Sequence, residues 1–184
     1  HDVEVYNRKG KHIANRNLPQ YNNSYYEGIK IISIPTINKK SLDAFIYSFL
    51  ATLRALSGKY DLIHYHAEGP CVMLIIPHLF KIRTIATIHG LDWQRAKWGG
   101  LATKYLLMGE KIAAKYADEV IVLSKNAQDY FLKTYNRETQ YIPNGINVQH
   151  TIEADVIKNK YGLKRNDYFL FLARIVPEKG LHYL

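Results

Sequence analysis

Disulfides are the first thing this sequence cannot build. Its 184 residues hold one cysteine, so no internal disulfide framework exists, and a reducing compartment fits best. No apolar run approaches the ~20 residues needed to span a bilayer. No Cys/His spacing resembles a zinc site. Internal repeats and low-complexity tracts are missing too. Acidic residues are in the minority, 16 against 25 Lys and Arg, for a net charge of +9 with His neutral. These counts argue against a secreted disulfide scaffold, an integral membrane chain, a coiled coil and a disordered tail. What is present points to a packed core: 47% of residues are hydrophobic, and Tyr alone occurs 15 times. The length gives room for one ordinary domain and part of another.

Short β-rich runs recur at residues 3–6, 29–34, 61–65, 84–88, 119–123, 140–142 and 168–172. Helical patterns lie between several of them. Leu42, Phe45, Ile46, Phe49, Leu50, Leu53 and Leu56 form one broad apolar face, with Ser41 as its N-cap. Residues 70–80 are apolar nearly all round, as in a buried helix, with a kink expected at Pro77. Leu101, Tyr105, Met108, Ile112 and Tyr116 mark another helix. Ser124 caps a helix over residues 125–135 whose core face is Ala127, Tyr130, Phe131 and Tyr135. Strand alternating with helix predicts an α/β fold, a parallel sheet with helices on both faces. The continuously apolar run Val120-Ile121-Val122-Leu123 fits a strand buried on both sides.

The expected organisation is a Rossmann-like first domain over residues 1–147, a linker over 148–166, and the start of a second Rossmann-like domain over 167–184. Pro143-Asn144-Gly145 is a turn signal. A short charged helix over residues 154–161 ends at Gly162. The run Tyr168-Phe169-Leu170-Phe171-Leu172 reads as the strand that opens the second domain. The chain starts directly in a strand and stops where a helix begins, so it reads as a piece of a longer protein.

In open parallel sheets, ligands bind beyond the carboxyl ends of the strands. Five strands in a row deliver polar or Gly-containing segments there: His66-Ala67-Glu68-Gly69-Pro70, His89-Gly90-Leu91-Asp92 followed by Trp93 to Gly100, Ser124, Pro143-Asn144-Gly145, and Ala173 to Gly180. Each has a structural alternative. His66 alone reads first as a hydrogen-bonded structural residue. His89 is the stronger candidate, because Gly90 lets backbone approach a ligand closely. Asp92 could cap a turn. Trp93 and Trp98 could be core, but beside Arg95 and Lys97 they suit stacking on a sugar or a membrane interface. Ser124 reads first as a helix cap, which still sets a helix N-terminus at the ligand edge. Arg174 and Lys179, across a turn with Pro177 and Gly180, can converge on one anion or be two solvated cations.

Arg174-Ile175-Val176-Pro177-Glu178-Lys179-Gly180 resembles the R-x-x-x-E-K-G motif of family 4 glycosyltransferases. Tyr141-Ile142-Pro143-Asn144-Gly145-Ile146 resembles the P-N-G segment of the same family. Ile63-His64-Tyr65-His66 and the His89-Gly90 turn resemble two of its strand ends. The segments 66–70 and 89–99 look most like bacterial rhamnosyltransferases of surface-polysaccharide assembly. The resemblance implies the GT-B fold, two Rossmann-like domains facing a cleft. It implies that Arg174 and Lys179 bind the donor diphosphate, with Asn144, Gly145 and Ser124 on the donor side, and that His89 contacts the transferring sugar and its phosphate. His66, Glu68, Asp92, Trp93, Arg95 and Trp98 fall where the acceptor sits. On this reading the Gly-rich loop after the first strand lies before His1, and a pair of Glu that holds the donor lies beyond Leu184. The 184 residues alone are then not expected to catalyse transfer.

The implied reaction moves a sugar, rhamnose by the narrower resemblance, from a nucleotide-diphosphate donor such as dTDP-rhamnose to a glycan or lipid-linked acceptor. It retains anomeric configuration and uses neither metal nor cofactor. Fixed cations stabilise the charge that grows on the leaving diphosphate. Lys39 and Lys40 before the 42–56 helix, with Lys81, Arg83, Arg95, Lys97 and Lys104, predict peripheral contact with anionic lipid at the inner face of the plasma membrane, in a cytoplasmic protein. No nucleic-acid partner is expected. A sugar-nucleotide epimerase of the same fold is the enzymatic alternative, which the R-x-x-x-E-K-G motif speaks against. A basic nucleic-acid-binding module is the non-enzymatic one, suggested by net charge alone.

Overall fold

The structure is a computed structural model that describes residues 1–8, 25–37, 39, 42–94, 99–146, 155–164, 166–176 and 179–183. It divides into two compact units. The first contains His1–Gln94 and runs on to Pro143; the second contains Asn144–Leu184.

The first unit is α/β, with helices packed on two small sheets. β1 (Glu4–Arg8) lies parallel to β3 (Ile29–Ile34), with Val5 opposite Ile31 and Asn7 opposite Ser33. β2 (Tyr25–Tyr26) runs antiparallel to β3. The two are joined by Glu27-Gly28, both at positive φ (49° and 82°), the two-residue turn whose twist matches a hairpin. The second sheet is wholly parallel: β4 (Leu62–His66), β5 (Arg83–Ile88), β6 (Glu119–Val122) and β7 (Gln140–Tyr141), in that order. All four carboxyl ends therefore share one edge. The core lies on β5 and β6, where Ala86, Ile88, Val120 and Val122 are fully buried with Leu74, Ala113 and Phe131 from the helices.

The helices are α1 (Asp43–Leu56), α2 (Glu68–Cys71), α3 (Ile75–Leu79), α4 (Gly100–Tyr116) and α5 (Lys125–Tyr135). Three of the helices expected from the sequence come out differently. In α1 the buried residues are Ser48, Thr52 and Ala55, while Leu42, Phe45, Phe49 and Leu53 are exposed. Small residues let this helix lie close to the sheet, and the Thr52 hydroxyl meets Tyr65 Oη at 3.0 Å. Its expected cap, Ser41, lies outside the described residues. In α4 the buried stripe is Leu106, Gly109, Glu110, Ile112, Ala113 and Ala114, leaving Leu101 and Met108 outside. The expected 70–80 helix is instead α2, a 3₁₀ turn over Val72–Leu74 and α3. Pro77 has no N–H for the carbonyl four residues back, and its ring crowds that carbonyl, so the chain tightens one turn before the proline. By contrast, α5 buries Ala127 and Phe131 as its spacing predicts. Ser124 caps it, its Oγ accepting from Ala127 N at 3.2 Å.

In the second unit, α6 (Asp155–Tyr161) ends at Gly162, which takes φ 66°. A 3₁₀ turn covers Leu181–Tyr183. The strand expected over 168–172 is not formed. No described residue offers it a ladder, and its side chains stand in solvent, Phe169 at 103% and Leu172 at 90% exposure. A strand is the product of its partner, and apolar content alone does not supply one.

Candidate functional site

The shared edge of the parallel sheet carries the chemistry in the first unit. β4 places His64 and His66 on one face, both exposed, with Tyr65 buried on the other. β5 ends beside β4 and delivers His89. The His66 Nδ1 and His89 Nε2 atoms are 3.0 Å apart, so one ring donates and the other accepts. The rings stack in a column, His64 on His66 at 4.2 Å and His66 on His89 at 5.3 Å between centroids. His64 is tied to Thr87, Nε2 to Oγ1, at 2.7 Å. Partial loss of water around the rings holds the His64 and His66 imidazoles below the usual histidine range, and the neighbouring rings add to the effect. A pair bonded in this way leaves the two outer ring nitrogens, His66 Nε2 and His89 Nδ1, for a ligand hydroxyl.

The chain turns sharply after His66. Ala67 N–H still donates to Thr87 O at 2.9 Å, as a ladder bond would, but Ala67 itself takes φ 69°, ψ 162°. That conformation suits glycine, and a Cβ makes it costly. The corner is held by Cys71 Sγ donating to Ala67 O at 3.2 Å and Tyr105 Oη donating to Gly69 O at 3.0 Å. Burial, with the Glu68 charge nearby, pushes the Cys71 thiol up to about 12, so it is an inert packing group.

Glu68 follows, and it lies beneath the site rather than on it. It is 0% exposed, so an acceptor does not reach it in this arrangement. Both of its carboxyl oxygens accept from Asp92 N, at 3.0 and 3.2 Å. Gly90, at φ 154°, turns the chain out of β5 toward that bond. The Glu68 carboxyl is pushed up to about 8: burial raises it most, the Asp92 amide pulls it partly back, and the Asp92 and Glu110 carboxyls add to the rise. Trp93, half-buried, donates its indole N–H to Glu110 Oε2 at 3.0 Å.

The structure thus brings together His66, Glu68, His89, Asp92 and Trp93 from the sequence-derived set. Ser124 stands at the end of β6 on the same edge, with its hydroxyl engaged in capping α5. Arg95 and Trp98 lie outside the described residues. Asn144 and Gly145 open the second unit and are exposed. Arg174 and Lys179 are exposed in that unit, in a turn where Val176 N donates to Arg174 O and Lys179 N to Val176 O, each at 3.0 Å. Neither carries an ion pair among the described residues. Among the described residues no group of three or more His, Cys, Asp or Glu could hold a metal ion.

Sequence reasoning missed Glu110, which accepts from Tyr130 at 2.8 Å and Tyr135 at 2.6 Å besides Trp93. Glu110 falls four residues after Leu106 and three before Ala113, on the buried stripe of α4, which the apolar spacing of that segment does not mark. A carboxylate there needs partners. His64 and the strained Ala67 were also not singled out.

Residues 1–150 match a family model described as Glycosyltransferase Family 4. Among solved structures, the fold is similar to that of a sucrose-phosphate synthase from Thermosynechococcus elongatus, with a TM-score of 0.63 at 21% identity. That match covers 89% of this chain and 43% of the other, so the chain spans less than half the length of that protein. At this identity the likeness concerns the fold, a GT-B Rossmann-like architecture. A comparison with curated sequences gives no match.

Proposed function

Because the chain belongs to glycosyltransferase family 4, we propose that it works in moving a sugar from a nucleotide-diphosphate donor to a glycan or lipid-linked acceptor, with retention of anomeric configuration. The observation that carries this reading is the His66–His89 pair, set at the carboxyl edge of a parallel sheet inside the family's domain. Rhamnose is the proposed sugar and surface-polysaccharide assembly the proposed setting, both from the resemblance of segments 66–70 and 89–99.

In the proposed reaction the acceptor hydroxyl forms the new bond to the anomeric carbon as the bond to the diphosphate breaks. The acceptor's proton passes to the leaving phosphate, so no protein nucleophile is required. Arg174 and Lys179 are the proposed diphosphate ligands: a planar fork and a point charge suit phosphate oxygens. His89 orients the sugar, and the edge from His66 to Trp93 receives the acceptor. The outward row of Phe45, Phe49 and Leu53 on α1, near Lys39 and Arg54, supports peripheral contact with anionic lipid at the inner face of the plasma membrane. No helix among the described residues is long and apolar enough to cross a membrane.

The test is a donor screen on full-length protein, with product formation on a lipid-linked acceptor. Arg174→Ala and Lys179→Ala are expected to lower kcat/KM about 100-fold or more, the usual cost of removing a group that stabilises developing charge. Normal turnover in both variants overturns the assignment.

A further inference from the structure

We propose that Glu68 and Glu110 form a buried, proton-sharing carboxyl pair that latches the segment after His89 onto α4 and α5, which makes both of them positioning residues for the candidate site. The positions rest on the first unit alone, and their link to sugar transfer rests on the function proposed above.

Four observations converge on the pair. Both carboxyls are 0% exposed, and no lysine or arginine among the described residues pairs with either. The Glu68 side chain lies within hydrogen-bonding reach of Glu110; two buried carboxylates so placed cannot both stay ionised, whereas one proton between them turns repulsion into a hydrogen bond. Each carboxyl also grips a different part of the same segment. Glu68 takes the Asp92 amide and Glu110 takes the Trp93 indole N–H. The backbones are forced together as well, since a Cβ on Gly109 would overlap the Glu68 carbonyl oxygen, so α4 approaches this corner only because residue 109 has no side chain. Finally, the strained Ala67 sits between His66 and Glu68, so the turn that carries the imidazole also carries the latch.

Hydrogen-bond chemistry assigns the proton. Glu110 already accepts three hydrogen bonds, from Trp93, Tyr130 and Tyr135. Among the described residues the Glu68 carboxyl accepts from Asp92 N alone, and it has a hydroxyl to give to Glu110 when protonated. Among the described residues the titratable groups that face Glu68 are Asp92 from the 3₁₀ turn after β5, Glu110 from α4 and Cys71 from its own helix; Tyr130 and Tyr135 of α5 face Glu110. Loss of the shared proton puts two charges in one dry pocket, and the Asp92–Trp93 clasp is what gives way.

The experiment is a pH titration of the chain followed by NMR at the Asp92 amide and the Trp93 indole N–H, the latter assigned by its loss in Trp93→Phe. Both resonances are expected to move together with a midpoint near 8. Glu68→Gln, a copy of the neutral acid, is expected to keep the clasp and abolish the midpoint. Glu68→Ala is expected to speed exchange of the Asp92 amide about tenfold or more, and to let the His66 imidazole rise toward 6.5. A midpoint that survives in Glu68→Gln, or a His66 titration indifferent to Glu68→Ala, overturns the proposal. If Glu68→Ala does not fold, Glu68→Gln decides alone. None of these readouts needs turnover, so failure here is distinct from failure of the transferase reading.

Discussion

Ala67 occupies a backbone conformation that its own Cβ resists, and it keeps it because both neighbours are committed. His66 is bonded to His89, Glu68 is bonded to Asp92, and the Ala67 amide and carbonyl are bonded to Thr87 and Cys71. Such strain costs about 1–3 kcal/mol, and a glycine there loses about 1 kcal/mol in unfolded-state entropy. Ala67→Gly is therefore expected to raise stability in urea denaturation by about 1 kcal/mol. A loss of stability means that the corner is not strained. No residue type announces this site, since the strain lies in a dihedral pair imposed by remote partners. His89-Gly90 is the opposite case, a glycine legible in the sequence and found at φ 154° where the chain leaves β5.

Helix faces show where one-dimensional patterns stop. The spacing of α5 predicts its buried side because large apolar residues and the core lie on the same side of that helix. In α1 and α4 small residues win instead: Ser48, Thr52 and Ala55 in one, Gly109, Ala113 and Ala114 in the other. A helix settles where its backbone comes closest, and a stripe of small side chains permits that better than a row of Phe and Leu. Gly109 makes this testable. Gly109→Ala forces α4 away from the Glu68 carbonyl and is expected to cost about 2–3 kcal/mol by thermal or urea unfolding, the range for overpacking a tight contact. A neutral result means that the two helices are free to part. The 168–172 run makes the same point for strands, because hydrophobic content without a pairing neighbour leaves it unladdered.

Stability against pH sums opposing groups across the fold. Glu68 is raised from 4.5 to about 8, so between those values the unfolded chain has lost a proton that the folded chain keeps, and stability falls as pH rises. His64 and His66 are lowered from 6.5, so below that value the unfolded chain binds protons the folded chain refuses, and stability falls as pH drops. Glu68→Gln removes the first contribution alone. The stability of the wild type minus that of the variant is expected to decline with pH from about 4.5 to about 8, with a slope of at most about 1.4 kcal/mol per pH unit. A flat difference contradicts the raised carboxyl. Chemical denaturation at a series of pH values measures it.

The order of residues was enough to give the strand–helix alternation, the Ser124 cap and the list of polar segments at the strand ends. Each of these depends on local period or local turn chemistry, which a short stretch of chain contains in full. Packing settled the rest: which side of α1 and α4 goes inward, that Glu68 lies under the site and not on it, and that Glu110 is its counterpart. Those outcomes depend on contacts between segments far apart along the chain. Burial and proton sharing exist only once α2, α4, α5 and the end of β5 have met.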